Sequence, residues 1–293
     1  MLDFLRFILS FFTAFFGGVI LNDVKCIKCR RFRLHSRKVK KDVRFVAMSD
    51  LHAREFGKGN RRLIREIESL KPDFVLMAGD IMTAKDVGKR IERSVRIASD
   101  LIRELTKICP VYFALGNHES RVLWDPERFT FDYEGMLSDF REAGAVILDN
   151  DDILLRDFGV RIYGLTLSVP YYFRLSRPKH LFAGTIRRRI GGPDPESFNI
   201  LLAHHPDYLP SYAAWGADLS FSGHYHGGIM RLPFLGGVIS PKPCLFPKYS
   251  GGMYRLRGLC QYVLCGTGYH SIPVRVFNPA ELVCVELKKQ EGS

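Results

Sequence analysis

The chain opens on an apolar stretch, MLDFLRFILSFFTAFFGGVIL, runs through a polar, basic segment to residue 41, and only then settles into alternating short apolar and amphipathic runs. VRFVAMSD (43–50) is apolar and β-branched and ends in polar residues, the pattern of a buried strand whose carboxyl end is open. The next run predicts an amphipathic helix from about Asn60 to Leu70, with Leu63, Ile64, Ile67 and Leu70 on one face and a stop at Lys71-Pro72. DFVLMAGD repeats the strand pattern, residues 88–107 the helix pattern, PVYFALGNHE the strand and YEGMLSDFREAG the helix. Such β-α-β-α-β alternation predicts a largely parallel sheet with helices on its faces. Past the midpoint the pattern changes. GVRIYGLTL, FNILLAHH, DLSFSGHYH, GGIMRLP, CQYVLCGTG and ELVCVEL read as short strands separated by turns with little helix, which predicts a second sheet packed on the first.

Composition adds little to this picture until the charge is located. The net charge of +12 suggests nucleic acid, but residues 1–41 hold ten Lys/Arg against two Asp, whereas residues 42–293 hold 33 against 29. The excess is therefore concentrated beside the apolar start, and no nucleic-acid-binding motif accompanies it. The apolar run from Phe7 to Leu21 is short of the roughly 20 residues that span a bilayer, and counting from Leu2 reaches that length. Nine Lys/Arg in residues 25–41, with no acid among them, would attract anionic headgroups and keep that flank cytoplasmic. The expectation is thus an uncleaved anchor and polybasic juxtamembrane linker over residues 1–41, followed by a catalytic domain over 42–293 on the cytoplasmic membrane face. An interfacial amphipathic helix would reach the same face without spanning. Seven cysteines, an odd number, do not form a disulfide framework, and the lone CIKC pair, Cys26 and Cys29, reads as chance spacing.

Polar residues gather where ligands bind in such sheets, beyond the carboxyl ends of the strands. They are Asp50, His52, Asp80, Asn117, His118, His204, His224 and His226. In SGHYHGG, His224 and His226 are two residues apart and so point to one side of an extended chain, while the glycines around them permit close approach. Carboxylate and amide oxygens with imidazoles, and no thiolate, suit Mn²⁺, Fe²⁺ or Zn²⁺. Eight side chains exceed the needs of one ion; two ions, with one carboxylate between them, would use all but one.

SDLH, GD, GNHE, AHHP and SGHYHGG occur in the order and approximate spacing of the calcineurin-like metallophosphoesterases, which the chain resembles from about residue 43 to its C-terminus. The tail GTGYHSIPVRVFNPAE and GGIMRLP resemble the bacterial membrane-associated branch of phosphodiesterases and UDP-2,3-diacylglucosamine hydrolase-like enzymes. The resemblance implies a four-layer α/β/β/α sandwich of two mixed sheets flanked by helices. It also implies two divalent ions: Asp50, His52 and His226 on the first, Asn117, His204 and His224 on the second, and Asp80 bridging. His118 would lie beside the scissile phosphate as the acid for the leaving alkoxide, with Glu119 orienting it. The nucleophile implied is hydroxide from a water shared by the two ions. His205 is left out, as a neighbour on the opposite strand face. Many relatives carry GDxxD, and here Thr83 takes the second Asp position, with Asp86 near it, which bears on tuning around the metals.

Substrate signals are thinner. Residues 171–193 carry six Lys/Arg and no acid, interleaved with Tyr171, Tyr172, Phe173, Leu181 and Phe182, and read as a basic, aromatic insert suited to a lid over an anionic lipid headgroup or nucleotide diphosphate. Arg231 is a candidate phosphate clamp. The expectation is a phosphodiesterase or pyrophosphatase at the membrane surface, with a lipid-linked substrate; a diacylglucosamine-type lipid pyrophosphatase, a nuclease and a monoesterase of the same family are the alternatives.

Overall fold

Leu63 and Ile67, one turn apart on a helix that ends ahead of Lys71-Pro72, are fully buried, and this anchoring is repeated along the first half of the chain. The computed structural model describes residues 1–84, 89–125, 129, 131–172, 179–232, 234–240, 245–269 and 274–291. Its first half runs α1 (Leu2–Lys25), β1 (Ile27–Ser36), β2 (Val43–Met48), α2 (Arg61–Ser69), β3 (Phe74–Ala78), α3 (Lys89–Thr106), β4 (Val111–Ala114), α4 (Asn117–Trp124), α5 (Tyr133–Glu142) and β5 (Ala145–Leu148). The second half runs β6 (Asp151–Leu155), β7 (Val160–Leu165), α6 (Ala183–Ile190), β8 (Phe198–Ala203), α7 (Leu209–Trp215), β9 (Leu219–Ser222), β10 (Met230–Leu232), β11 (Gly236–Ile239), β12 (Gly252–Leu256), β13 (Leu259–Val263) and β14 (Ala280–Lys289).

Among the described residues two six-stranded mixed sheets result, ordered β1-β14-β2-β3-β4-β5 and β12-β13-β9-β8-β7-β6, with a separate β10-β11 hairpin. Strands β2 to β5 are mutually parallel, as are β7, β8, β9 and β13. Three apolar clusters define the layers. Phe45, Phe74, Ile162, Ile200 and Phe221 pack between the sheets. Leu63, Ile67, Val95, Leu101 and Phe140 from α2, α3 and α5 cover the outer face of the first sheet. Ile186, Ile190, Tyr212 and Trp215 from α6 and α7 cover the outer face of the second. This is the expected α/β/β/α sandwich.

Five elements depart from the sequence reading, among them GGIMRLP, whose β10 lies in the separate hairpin and not in the second sheet. ELVCVEL, assigned above to the second sheet, is β14 in the first, antiparallel to β2. Its alternate residues face different layers, Leu282 and Cys284 the helices and Val283, Val285 and Leu287 the other sheet, so burial on both faces marks a central strand. Residues 27–36 of the supposed linker are β1, paired in parallel with β14 over ten residues from Ile27↔Ala280 to Ser36↔Lys289. Phe32 and Leu34 pack against the inter-sheet cluster, and Arg30, Arg31 and Arg33 charge an edge strand that would otherwise invite further pairing. Asn117, His118 and Glu119 form the first turn of α4 instead of prolonging β4. Within the supposed lid, residues 183–190 are a helix whose Ile186 and Ile190 are core residues; Phe173 lies outside the described residues.

Helix α1 has 24 residues, and from Arg6 to Lys25 it is long and apolar enough to cross a membrane, with 6% of the span buried. Its C-terminal end is attached to the sandwich. Asp23 is buried and its Oδ2 accepts from the Asn278 backbone N–H at 2.8 Å, the Val24 carbonyl accepts from Arg54 Nη2, and Phe15 and Phe16 lie 6.4 and 6.5 Å from Phe277.

Candidate metal centre

Parallel strands of both sheets end at one rim, and the loops leaving those ends carry the site. Asp50 and His52 follow β2, Asp80 follows β3, and Asn117 and His118 open α4 just past β4. His204 follows β8 and His224 and His226 follow β9. All eight are at most 9% exposed. The loops are tied together through backbone and carboxylate: Asp50 N–H donates to Gly79 O at 3.0 Å, His52 N–H to Asp80 O at 3.1 Å, and Gly223 N–H to His204 O at 3.0 Å. Asp50 Oδ1 accepts from His224 N–H at 3.0 Å, and Asp80 Oδ1 from His118 N–H at 2.8 Å.

The other ends of these side chains converge. Three groups, Asp50/His52/His226, His52/Asp80/His118 and Asp80/His204/His224, each bring their potential ligand atoms within 4.8 Å of one another. His226 Nε2 lies 3.2 Å from Asp50 Oδ1 and 3.0 Å from His52 Nε2. Asp80 Oδ2 stands 3.0 Å from His204 Nε2 and 3.8 Å from His52 Nε2, between the two outer groups. Asn117 Oδ1 is 2.8 Å from His224 Nδ1. The approach leaves no room for side chains on two neighbours: a Cβ on Gly116 would stand 2.2 Å from Asp80 Oδ1, and one on Gly223 would stand 2.2 Å from Asp50 Oδ2.

These residues fit divalent ions. Two imidazole Nε2 atoms 3.0 Å apart are compatible only with a proton or a cation between them. His204 Nδ1 bonds the Ala78 carbonyl at 2.7 Å, which places the ring hydrogen there and turns the Nε2 lone pair toward Asp80, the arrangement of a metal-ligating histidine oriented by a backbone carbonyl. Electrostatics among the side chains agree. Burial works against a charged His204, yet Asp80 and Asp50 push it up to about 10. Burial raises Asp50 to about 6; it also acts on Asp80, but the imidazoles of His204, His118 and His52 hold that carboxyl well below the usual range. The two carboxylates thus draw positive charge into a dry pocket, which is what a bound cation supplies.

His118 and Glu119 have different tasks. His118 Nδ1 accepts from Ala84 N–H at 2.9 Å, so the neutral ring carries its hydrogen on Nε2, and its ring stands edge-on to that of His52 at 4.7 Å. Glu119, expected to orient His118, instead accepts N–H bonds from Asp80, Ile81, Met82 and Gly116 at 2.8–3.2 Å. It clamps the loop after β3 onto the start of α4. Burial and the charge of Asp80 raise it to about 7.

Arg231, expected to clamp phosphate, donates to the carbonyls of Gly227, Ser250 and Gly251 at 3.0–3.5 Å and so braces the turn after His226. Thr83 N–H donates to Ser94 Oγ at 2.7 Å, and Asp86 lies outside the described residues. His205, set aside on strand alternation, packs with its ring 4.7 Å from His224, because it lies beyond the end of β8 where alternation no longer applies. Tyr172 is buried against His205 and His224 at 5.3 and 5.2 Å, and burial raises its phenol far above the usual value.

Two supports were not recognised from sequence. Arg275, buried, donates to the carbonyls of Cys265, Gly266, Gly268, Asn278 and Pro279. Asn278 Nδ2 donates to His226 O at 2.7 Å and Gly228 O at 2.6 Å. The available signals were an arginine inside the apolar run IPVRVF and the turn pair Asn278-Pro279.

Comparison with known proteins agrees with this geometry. The family model described as calcineurin-like phosphoesterase matches residues 43–228, more than half of the chain. An uncharacterized metallophosphoesterase of Bacillus subtilis, YkuE, is 27% identical over 84% of this chain and 79% of its own length. A zebrafish (Danio rerio) transmembrane protein with metallophosphoesterase domain is 26% identical over 84% of this chain and 53% of its own. Phosphodiesterase YaeI of Escherichia coli is 25% identical over 58% of this chain and 55% of its own. With its matched domain and its converging Asp/His groups, the chain belongs to the calcineurin-like phosphoesterases, metal-dependent phosphoester hydrolases with a dinuclear divalent metal centre.

Proposed function

We propose that this enzyme hydrolyses a phosphodiester or pyrophosphate bond of a lipid-linked substrate at a membrane surface. In this reading Asp50, His52 and His226 would hold one ion, Asn117, His204 and His224 the other, and Asp80 would serve both. The observation that carries the metal-dependent hydrolysis is the interlocking of the three ligand groups, with Asp80 Oδ2 between His52 and His204. Ions held there would supply positive charge and a water acidic enough to furnish a nucleophile near neutral pH. His118 acts on the opposite side of the reaction: its Nε2 hydrogen, set by the Ala84 N–H on Nδ1, passes to the departing oxygen. Glu119 and the Asp80 carboxylate hold the α4 turn that presents it. Tyr172 and His205 pack against the His224 ring on this side of the pocket.

The membrane part of the reading is supported by α1, whose apolar span continues directly into the basic strand β1, and by the likeness to the zebrafish transmembrane protein with metallophosphoesterase domain. Basic residues beside such a span favour a cytoplasmic position for the domain. The test uses the full chain in vesicles, stripped of metal and reloaded with Mn²⁺, Fe²⁺ or Zn²⁺, against a soluble phosphomonoester, a soluble phosphodiester and a nucleotide-diphosphate lipid. The diester or the diphosphate lipid should be cleaved fastest, with two ions bound per chain; preference for the diphosphate lipid would select the lipid pyrophosphatase. Full activity after exhaustive chelation, or cleavage of the monoester alone, would defeat the proposal.

A further inference from the structure

We infer that the β10-β11 hairpin and the turns beside it form a second membrane-contact surface, which dips into the bilayer next to α1 and faces the metal centre toward lipid headgroups. This rests on the membrane-surface reading above and specifies how that surface is met. The first observation is exposure. Phe234, at the hairpin tip, is fully exposed, and Leu235, Phe246 and Phe277 are 63%, 54% and 41% exposed. Isolated apolar side chains on a surface are ordinary, but a continuous group of large ones marks an interaction site.

The second is backbone conformation. Phe234, Phe246 and Phe277 have φ of 66°, 48° and 52°, the left-handed region that bulky residues avoid and that glycine or asparagine fills readily. Three phenylalanines held there and turned outward gain little for the folded chain in water.

The third is continuity. Phe246 N–H donates to Val238 O at 2.8 Å, Val276 bridges Met230 of β10, and Phe277 touches Phe15 and Phe16 of α1. Ring contacts and backbone bonds thus link the span-length helix, through Phe277 and Val276, to β10 and on to the hairpin and turn that carry Phe234, Leu235 and Phe246. Lys28 and Arg30 border a cavity with Phe277 at the foot of α1, and Lys248 is exposed two residues past Phe246. Apolar tips with cations at their base are the composition of a surface buried to the headgroup boundary.

The surface is also coupled to the chemistry. β10 follows the His226 turn after three residues, a Cβ on Gly228 would stand 3.1 Å from Gly237 Cα, and Asn278 binds both the helix residue Asp23 and the carbonyls of His226 and Gly228. A hairpin seated in the interface therefore sets the height of the metal loop above the acyl chains, which favours a substrate whose scissile phosphate lies at headgroup level.

Two measurements on the full chain in phosphatidylcholine/phosphatidylglycerol vesicles test this. Phe234→Trp should show blue-shifted emission that brominated acyl chains quench, above the baseline of the parent with its native Trp124 and Trp215. A Phe234→Ser, Leu235→Ser, Phe246→Ser variant should keep the parent rate on a soluble phosphodiester, yet lose about tenfold or more on a phosphodiester lipid in vesicles, as expected for removing large apolar side chains from a buried position. An unquenched Phe234→Trp in protein that floats with the vesicles would overturn the inference, as would equal loss on both substrates. If the parent cleaves neither diester, the proposed function fails while the quenching still decides the docking.

Discussion

Five of the seven proposed ligands sit in the left-handed backbone region: Asp50, His52, Asp80, His224 and His226 have φ of 50°, 49°, 57°, 72° and 52°. Each such residue costs about 1–3 kcal/mol and persists only where surrounding structure over-determines it. Here the loop-to-loop bonds from Asp50, His52 and His224 N–H groups, with the four N–H donors on Glu119, do so. The conformation tips each side chain off its strand direction and into the shared pocket. His118 differs from these five. It touches the site from a helix turn, and the role proposed for it is the transfer of one proton. His118→Asn preserves an acceptor for Ala84 N–H and removes the Nε2–H. We expect two ions still bound and turnover lowered by about 10²–10⁴-fold, checked by metal analysis and kcat on the same preparation. Loss of one ion per chain would make His118 a ligand instead.

At the scale of elements, β1 changes what the N-terminus is. Its ten residues satisfy the edge of β14, and Asp23 at the end of α1 caps the Asn278 backbone. Removing residues 1–21 leaves both and takes away most of the apolar span together with the Phe15 and Phe16 contacts to Phe277. Removing residues 1–41 strips the edge from a central strand and leaves Leu282, Val283 and Val285 one layer from solvent. The shorter truncation should therefore be monomeric, folded and active on a soluble diester, whereas the longer one should unfold at lower temperature and aggregate. Size-exclusion chromatography and thermal denaturation of the two would show it; equal behaviour would mean that β1 contributes nothing to the sandwich.

At the scale of the whole molecule, the metal centre is where the two sheets are fastened together. Asp50, Asp80 and Asn117 come from the first sheet, and His204, His224 and His226 from the second. Ions held by the proposed ligands would bridge both halves and would bind only the folded state. Free metal 100-fold above its dissociation constant stabilises by about 2.7 kcal/mol per ion, which for a chain of 293 residues is a rise of about 4 °C per ion in the unfolding midpoint. Calorimetry with and without chelator measures it; coincident midpoints would mean that the ions do not join the sheets.

Much of this was legible in one dimension, since burial periodicity and strand-end polarity are local properties of a sequence. β2, α2, β3, α3 and β4 fall where the apolar pattern predicts them, and the eight-residue cluster was found because each member closes a strand-like run. What the sequence determined by itself was therefore the alternation of elements and the chemical identity of the site. Pairing partners were left to tertiary structure: β14 reads like any apolar strand, and only the packing of two sheets decides that it lies between β1 and β2. The same holds for Glu119, Arg231, His205 and Asn278. Their types suggest charge or polarity, but their tasks depend on which carbonyls and N–H groups the fold brings within about 3 Å. A hydrogen bond is a property of distance in space, and residues as remote along the chain as Asp23 and Asn278 acquire one only when the sheet closes between them.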